Sequence, residues 1–500
     1  MTDRPAPLAG IEKLAIVGLI IAAIAHVALA GIADIILDEA YALAIAHKFQ
    51  LSFFDHPPLA FWLAGFMLAI AGPDAPAIIL RLPFVLLSFG SLYLLYRLTA
   101  RNFGRAAGLW AALLWLLVPH FFFASGAWIL PDGPLLFFLL LTALTLDRVV
   151  LRPKETTPWR GWLLAGVWLG LAMLSKYHAV LFPLGILLFL AVSPAYRHWL
   201  AKPHPYVAGL AALLVFSPVI IWNATHDWAS FAFQFGRANP AQGAPLIKLL
   251  GSVLGQAAYL SPWLMILAIW AAFRVRDNGK PIAGLLIAVA ALPIVLFTLV
   301  SIWGTHNLPH WQMVGWLFLF PLLGNWLMPP NGARFRLAGT LLALGGILLA
   351  MAIGFWSALI YEMPVQLPKQ AARDGVKEVA SWRRLQPVLA DTGIVLQDDE
   401  FLADPGWIGA AHAAEVFPGT QDVLVLGTDK RGFAYVTDPA IYAGRDALMI
   451  KWSESADETL AIAQSHFVEA EIVATLPFPA APSAGRTVVV IRARDYQPPE

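Results

Sequence analysis

The feature that most limits what this chain can become is a series of apolar runs, each near the roughly twenty residues that cross a bilayer. Short basic clusters separate every second pair of runs: Arg97, Arg101 and Arg105; Arg148, Arg152, Lys154 and Arg160; Arg197 and Lys202; Arg274, Arg276 and Lys280; Arg334 and Arg336. Cytoplasmic loops carry an excess of Lys and Arg, so these gaps mark one side of the membrane. The alternation predicts a polytopic α-helical membrane protein of about eleven transmembrane helices, with its N-terminus inside and its C-terminus outside. Composition agrees, because 59% of the 500 residues are apolar and 13% charged, against about a quarter charged in soluble domains. The formal charge of +1 is not gathered on one face, so no nucleic-acid partner is expected. The chain has no cysteine, which excludes disulfides and thiolate chemistry.

Three assignments decide whether the signs alternate correctly. Leu14 to Ala30 ends in Ala28-Leu29-Ala30, which resembles a signal-peptidase site, yet the run exceeds the usual signal core and is expected to stay as an uncleaved first span. His26 within it is expected to be packed and neutral. Leu59 to Ala71 is short for a crossing and is opened by Pro57-Pro58, so a helix lying along the membrane surface is expected. After a long outer loop from Asn223 to about Leu246, one span is expected to return to Arg274.

From Tyr361 the charge density rises and short β-rich runs appear: Gly393 to Leu396, Asp422 to Leu426, Ala447 to Ile450 and Thr487 to Ile491. Helical patterns lie at Ile408 to Val416 and Glu458 to Phe467. The reading is a membrane domain over 1–360, with a first outer loop at 33–76, followed by a soluble α/β domain over 361–500 large enough for its own core. It has no glycine-rich nucleotide fingerprint.

Polar residues that apolar spans do not explain collect at the outer ends. They are Asp38, Glu39, Asp55, His56, Arg81, Asp132, Lys176, Tyr177, His178, His226, Arg237, His306 and His310, and all but His178, His226 and Arg237 are the site candidates. Charged groups are driven from the bilayer centre toward its edges in any case, but that does not gather both signs on one side. Asp38-Glu39 begins a helical pattern, where a carboxylate also suits the free N–H groups of the first turn. Successive residues on a helix diverge by about 100°, so only one of the pair can point into a given pocket while the other supports it. Pro57 biases His56 away from helical geometry and so orients its ring. Arg81 and Lys176 offer a planar fork and a point charge for a phosphate, or else snorkel to the interface. Asp132 suits a helix cap equally well. The histidines lack metal-site spacing, no cofactor is firmly implied, and a divalent metal is left open.

At these positions the chain resembles the membrane glycosyltransferases of GT-C fold that include the protein O-mannosyltransferases and the lipid A aminoarabinose transferase. The matching passages are Asp38-Glu39-Ala40-Tyr41, Phe54-Asp55-His56-Pro57-Pro58, Arg81-Leu82-Pro83, Pro131-Asp132-Gly133-Pro134, Ser175-Lys176-Tyr177, Pro218 to Asn223 and His310-Trp311. The resemblance implies a polyprenyl-phosphate sugar donor, a lipid or glycolipid acceptor such as lipid A or lipopolysaccharide core, and membrane lipids as surroundings. It also implies a bacterial inner-membrane location with the α/β domain in the periplasm, Asp38 as general base and Arg81 as a phosphate or sugar contact. His56, Lys176 and Tyr177 join the donor side, and Glu39, Asp55, Asp132, His306 and His310 the acceptor or supporting side. The chain departs from the aminoarabinose branch in having Asp55-His56 where a Glu-Lys pair precedes the loop proline, which makes Lys176 the candidate replacement. The competing expectation is a lipid or small-solute transporter, but transporters place their polar groups near mid-membrane in repeated halves, and here they crowd one face.

Overall fold

A computed structural model describes the chain except residues 1–9, 154–156, 238–243, 277–278, 304–307, 329–331, 362–376, 378, 420–421, 481–484 and 499–500. His306 lies outside the described residues. The chain divides into two compact units: 1–30, 56–59 and 83–350 form the first, and 31–55, 60–82 and 351–500 the second.

The first unit is helical. It holds α1 (Gly10–Ile32) up to residue 30, then, after α2 (Leu37–Ala46) and α3 (Leu59–Ala71) of the other unit, α4 (Ala77–Phe103) from Pro83 onward. There follow α5 (Arg105–Leu116), α6 (Pro119–Ala124), α7 (Asp132–Val149), α8 (Pro158–Ser175), α9 (Leu181–Val192), α10 (His204–Ala224) and α11 (Ala229–Gly236). Next come α12 (Pro245–Leu260), α13 (Pro262–Arg276), α14 (Pro281–Trp303), α15 (Met313–Leu317), α16 (Phe320–Trp326) and, up to residue 350, α17 (Gly332–Tyr361). Small residues let these helices approach. A Cβ on Gly166 of α8 would lie 2.2 Å from the Ala208 carbonyl of α10, and one on Gly170 2.8 Å from that of Ala212, a spacing of four residues that brings one helix face onto the other. His26 is buried edge-on to Phe89 and Phe122, as expected of a packed imidazole.

Among the described residues five helices are long and apolar enough to cross a membrane, so the chain is a multi-pass membrane protein. Several expected spans are broken. The stretch expected to return to Arg274 as one span is two helices, α12 and α13, bent by 95°. The bend has a local cause: Ser261 takes φ +85°, and Pro262 cannot continue the ladder of α12. Pro119 likewise separates α5 from α6. The short apolar helix expected after Pro57-Pro58 is α3, with the same limits, Leu59–Ala71.

The second unit contains a five-stranded sheet of order β2-β1-β3-β5-β4, from β1 (Glu400–Asp404), β2 (Val423–Val425), β3 (Asp446–Trp452), β4 (Phe467–Pro477) and β5 (Thr487–Tyr496). β2, β1 and β3 are parallel, with Leu402 opposite both Val423 and Leu448. β5 runs antiparallel between β3 and β4, with Ile491 opposite Met449 and Ile472. Helices α18 (Leu385–Thr392), α19 (Trp407–Val416) and α20 (Ala456–His466) complete the layer. Phe401, Met449, Phe467, Ile491 and Tyr496 fill a core under α20.

The run Gly393 to Leu396 is no strand; β1 begins later, at Glu400. Its end residues are acidic and all five are buried, because Arg492 pairs with Glu400 at 2.9 Å and Lys451 with Asp404 at 2.7 Å. The sequence boundary at 360 is not the structural one. Of the first outer loop, residues 33–55 and 60–76, with α2 and nearly all of α3, group with the sheet domain, where Tyr41 accepts from Gly432 and the Pro73 carbonyl accepts from Arg383.

Candidate active site

In the second unit the site is built around the start of α2. The chain enters it extended at Ile36, and Glu39 in the first turn accepts the Ile36 N–H at 3.1 Å. The two adjacent acids then part. Asp38 is exposed, whereas Glu39 is 0% exposed and receives the Arg81 guanidinium at 2.6 and 2.8 Å. Arg81, itself 0% exposed, also donates to the carbonyls of Ala33 and Asp34 at 2.8 and 2.7 Å. Burying a charge is costly unless it is paired and its remaining donors are satisfied, and the two carbonyls supply that. Arg81, expected at a phosphate, therefore holds the loop before α2 to the Glu39 carboxylate.

One turn beyond Asp38, the Tyr41 hydroxyl donates to Asp55 Oδ1 at 3.0 Å and accepts the Gly432 N–H at 3.0 Å. Burial and the Asp55 charge push this phenol well above its ordinary value, so it stays neutral and keeps its proton for Asp55. The Asp34 carboxylate receives Arg384 at 2.5 and 3.0 Å and the Ser381 N–H at 3.1 Å.

The first unit carries a separate cluster. Lys176, in the break between α8 and the short 3-10 turn Tyr177–Val180, reaches both oxygens of Asp132 at 2.9 and 3.0 Å. Asp132 is the first residue of α7 and makes no cap; Lys176 is its partner instead. Four imidazoles stand within electrostatic reach of this pair or of one another: His120, His178, His310 and His56. His120 and His310 lie nearly parallel with centroids 6.3 Å apart, and His178 meets Trp311 edge-on at 5.9 Å. In the turn before α15, burial first and Lys176 second hold His310 down to about 3, against the pull of Asp132. Tyr177 turns away to share a 2.6 Å hydrogen bond with Ser230.

The structure thus joins Glu39 to Arg81, Asp55 to Tyr41, and Asp132 to Lys176 with His56 and His310 nearby. Sequence reasoning missed Tyr41 as a partner and His120 altogether. His120 could have been found as the one imidazole in the apolar run from Leu109 to Phe123, placed directly after Pro119. Among the described residues no three His, Asp or Glu side chains are grouped so as to hold a metal ion.

The model of the family "Dolichyl-phosphate-mannose-protein mannosyltransferase" matches residues 55–222. No curated protein sequence matches the chain significantly. Among solved structures, ArnT from Cupriavidus metallidurans in the apo state superposes with a TM-score of 0.64 at 15% identity, over 96% of this chain and 98% of that one. The same protein bound to undecaprenyl phosphate also gives 0.64, at 14% identity with the same coverage. At such identity the likeness is one of fold, and it extends over nearly the whole of both chains.

Proposed function

We propose that this chain, which has the GT-C fold of membrane glycosyltransferases, transfers a sugar from a polyprenyl-phosphate carrier to an acceptor hydroxyl. The donor class is supported by the mannosyltransferase family match and by the undecaprenyl phosphate held in the ArnT structure. The acceptor in this reading is lipid A, lipopolysaccharide core or another envelope glycolipid. The chain crosses a bacterial inner membrane about eleven times, broken helices such as α5 with α6 counting as single crossings, with the sheet domain in the periplasm.

The observation that carries the reading is the parting of the two acids. Glu39 is tied into Arg81, which leaves Asp38 exposed at the positive end of α2. There Asp38 takes the proton of the acceptor hydroxyl as its oxygen attacks the anomeric carbon. The bond from that carbon to the phosphate oxygen breaks, and polyprenyl phosphate leaves with the electron pair. The leaving group is a weak base and needs positive charge and hydrogen-bond donors more than an acid. Lys176 supplies the charge, held in place by Asp132, and His56, His120 and His310 supply ring N–H groups. A single displacement inverts the anomeric centre.

Purified protein in detergent, given a radiolabelled polyprenyl-phosphate sugar and an envelope glycolipid fraction, tests this directly. Asp38→Asn is expected to lower kcat by about 10²–10⁴-fold, the usual worth of a positioned base. Full transfer by that variant, or a product with retained configuration, would refute the mechanism.

A further inference from the structure

We infer that the sheet domain is a brace that sets the rotation of α2, with Tyr41 and Asp34 as positioning residues for Asp38; this rests on Asp38 being the base. α2 has ten residues, and isolated helices shorter than about 12–15 residues are marginal in water. Its orientation must therefore come from what surrounds it. A turn of about 100° about its axis would bring Glu39 to where Asp38 points and carry Asp38 away, so a catalytic group on this helix needs rotational control in particular.

The second unit supplies that control at three levels. Before the helix, Asp34 is clamped by Arg384 and the Ser381 N–H. At its middle, the Tyr41 ring meets Trp407 and Phe433 edge-on at 5.3 and 5.8 Å, and its hydroxyl accepts from Gly432. At its end, His47 reaches Asp422 at 3.1 Å while its other nitrogen contacts the Ala44 carbonyl at 2.7 Å, and Lys48 donates to Val436 O at 2.6 Å. Gly432 shows how tight the middle contact is. A Cβ there would lie 2.6 Å from the Tyr41 hydroxyl and 2.8 Å from Ile45 Cδ1, so a larger residue must move the Tyr41 ring or the Ile45 side chain on α2. Backbone and side-chain groups from 381–384, 407, 422 and 431–436 thus hold this short helix and its flanks, and none of them carries chemistry in the proposed transfer. Fixing α2 gives them a purpose.

Tyr41→Phe keeps the ring and removes the hydroxyl, while Gly432→Ala keeps the hydroxyl and pushes on the helix. Both should lower kcat by about 10- to 100-fold, the cost of misplacing a reacting group by an ångström or so, with KM for the donor within about threefold. Both should move the acid limb of the kcat/KM pH profile, because the surroundings of Asp38 change, and both should speed amide exchange at residues 37–46 while leaving exchange in β3 and β5 unaltered. A general loss of folding would not give that local pattern, and should Gly432→Ala fail to fold, Tyr41→Phe alone decides. If Asp38→Asn is inactive but Tyr41→Phe keeps wild-type kcat, pH profile and exchange, the brace is overturned and the catalytic reading stands. If Asp38→Asn is fully active, the catalytic reading falls and the brace has nothing to serve.

Discussion

Two carboxylate–cation pairs, Glu39 with Arg81 and Asp132 with Lys176, sit in very different surroundings. Glu39–Arg81 is 0% exposed on both sides and each partner has further hydrogen bonds to backbone. Asp132–Lys176 keeps 14% and 6% of its side chains exposed and is ringed by imidazoles. A sealed pair can only hold structure together, because nothing polar can enter to take over either charge without leaving the other stranded. Asp132–Lys176 keeps a small exposed edge, and it is there that the proposed reaction would bring a phosphate to Lys176. That contrast, more than the residue types, is what separates scaffold from candidate chemistry here.

The sharpest way to break the comparison is to neutralise one member of each pair. Glu39→Gln leaves a buried guanidinium without its carboxylate and should cost about 3–5 kcal/mol of stability, seen as a large drop in thermal midpoint in detergent. An unchanged midpoint would mean that the pair is not sealed. Lys176→Met should move the midpoint much less, yet weaken binding of polyprenyl phosphate by about tenfold, the worth of roughly one charge-assisted contact. Unaltered lipid binding would return Lys176 to the scaffold.

Smaller effects are expected from two buried groups of the sheet domain, and they have opposite signs. Burial raises Glu415 to about 7, against the hydrogen bonds it accepts from the Ser381 hydroxyl and the Trp382 N–H. The folded chain therefore favours the protonated acid, so this stabilisation is full below the ordinary carboxyl range and fades as pH rises toward 7. His412, stacked on Trp382 at 4.6 Å, is lowered to about 3 by burial and then by Lys451. Its neutral form is favoured, and that stabilisation is present above the ordinary imidazole value and fades as pH falls from there toward 3. Glu415→Gln should flatten the upper limb of a stability-against-pH curve and His412→Asn the lower limb. A curve unchanged by either would show that these groups titrate alike in the folded and unfolded chain.

Local chemistry made some of this legible in advance. The helix Leu59–Ala71, the helix ending at Val416 and three of the five strands follow from proline position, apolar period and β-branched runs. β4 was hidden because it is an edge strand whose residues are mostly exposed, so its sequence lacks the alternation that marks a half-buried strand. β1 was hidden because acids at both its ends are neutralised by cations from β3 and β5.

What the sequence determined by itself is the class: apolar runs of bilayer length, interrupted by basic clusters of one sidedness, leave a polytopic membrane chain as the solution, and the Asp38-Glu39 pair could be recognised as one outward and one supporting acid. The resemblance assigns the base role to Asp38 and a supporting one to Glu39, whereas the partners that hold Glu39 and the helix around it are visible only in three dimensions. Arg81 lies 42 residues from Glu39, and Gly432 lies 391 residues from Tyr41. Such partners leave no trace in local pattern, because pairing across those distances is set by how helices and strands pack rather than by the period of any one of them.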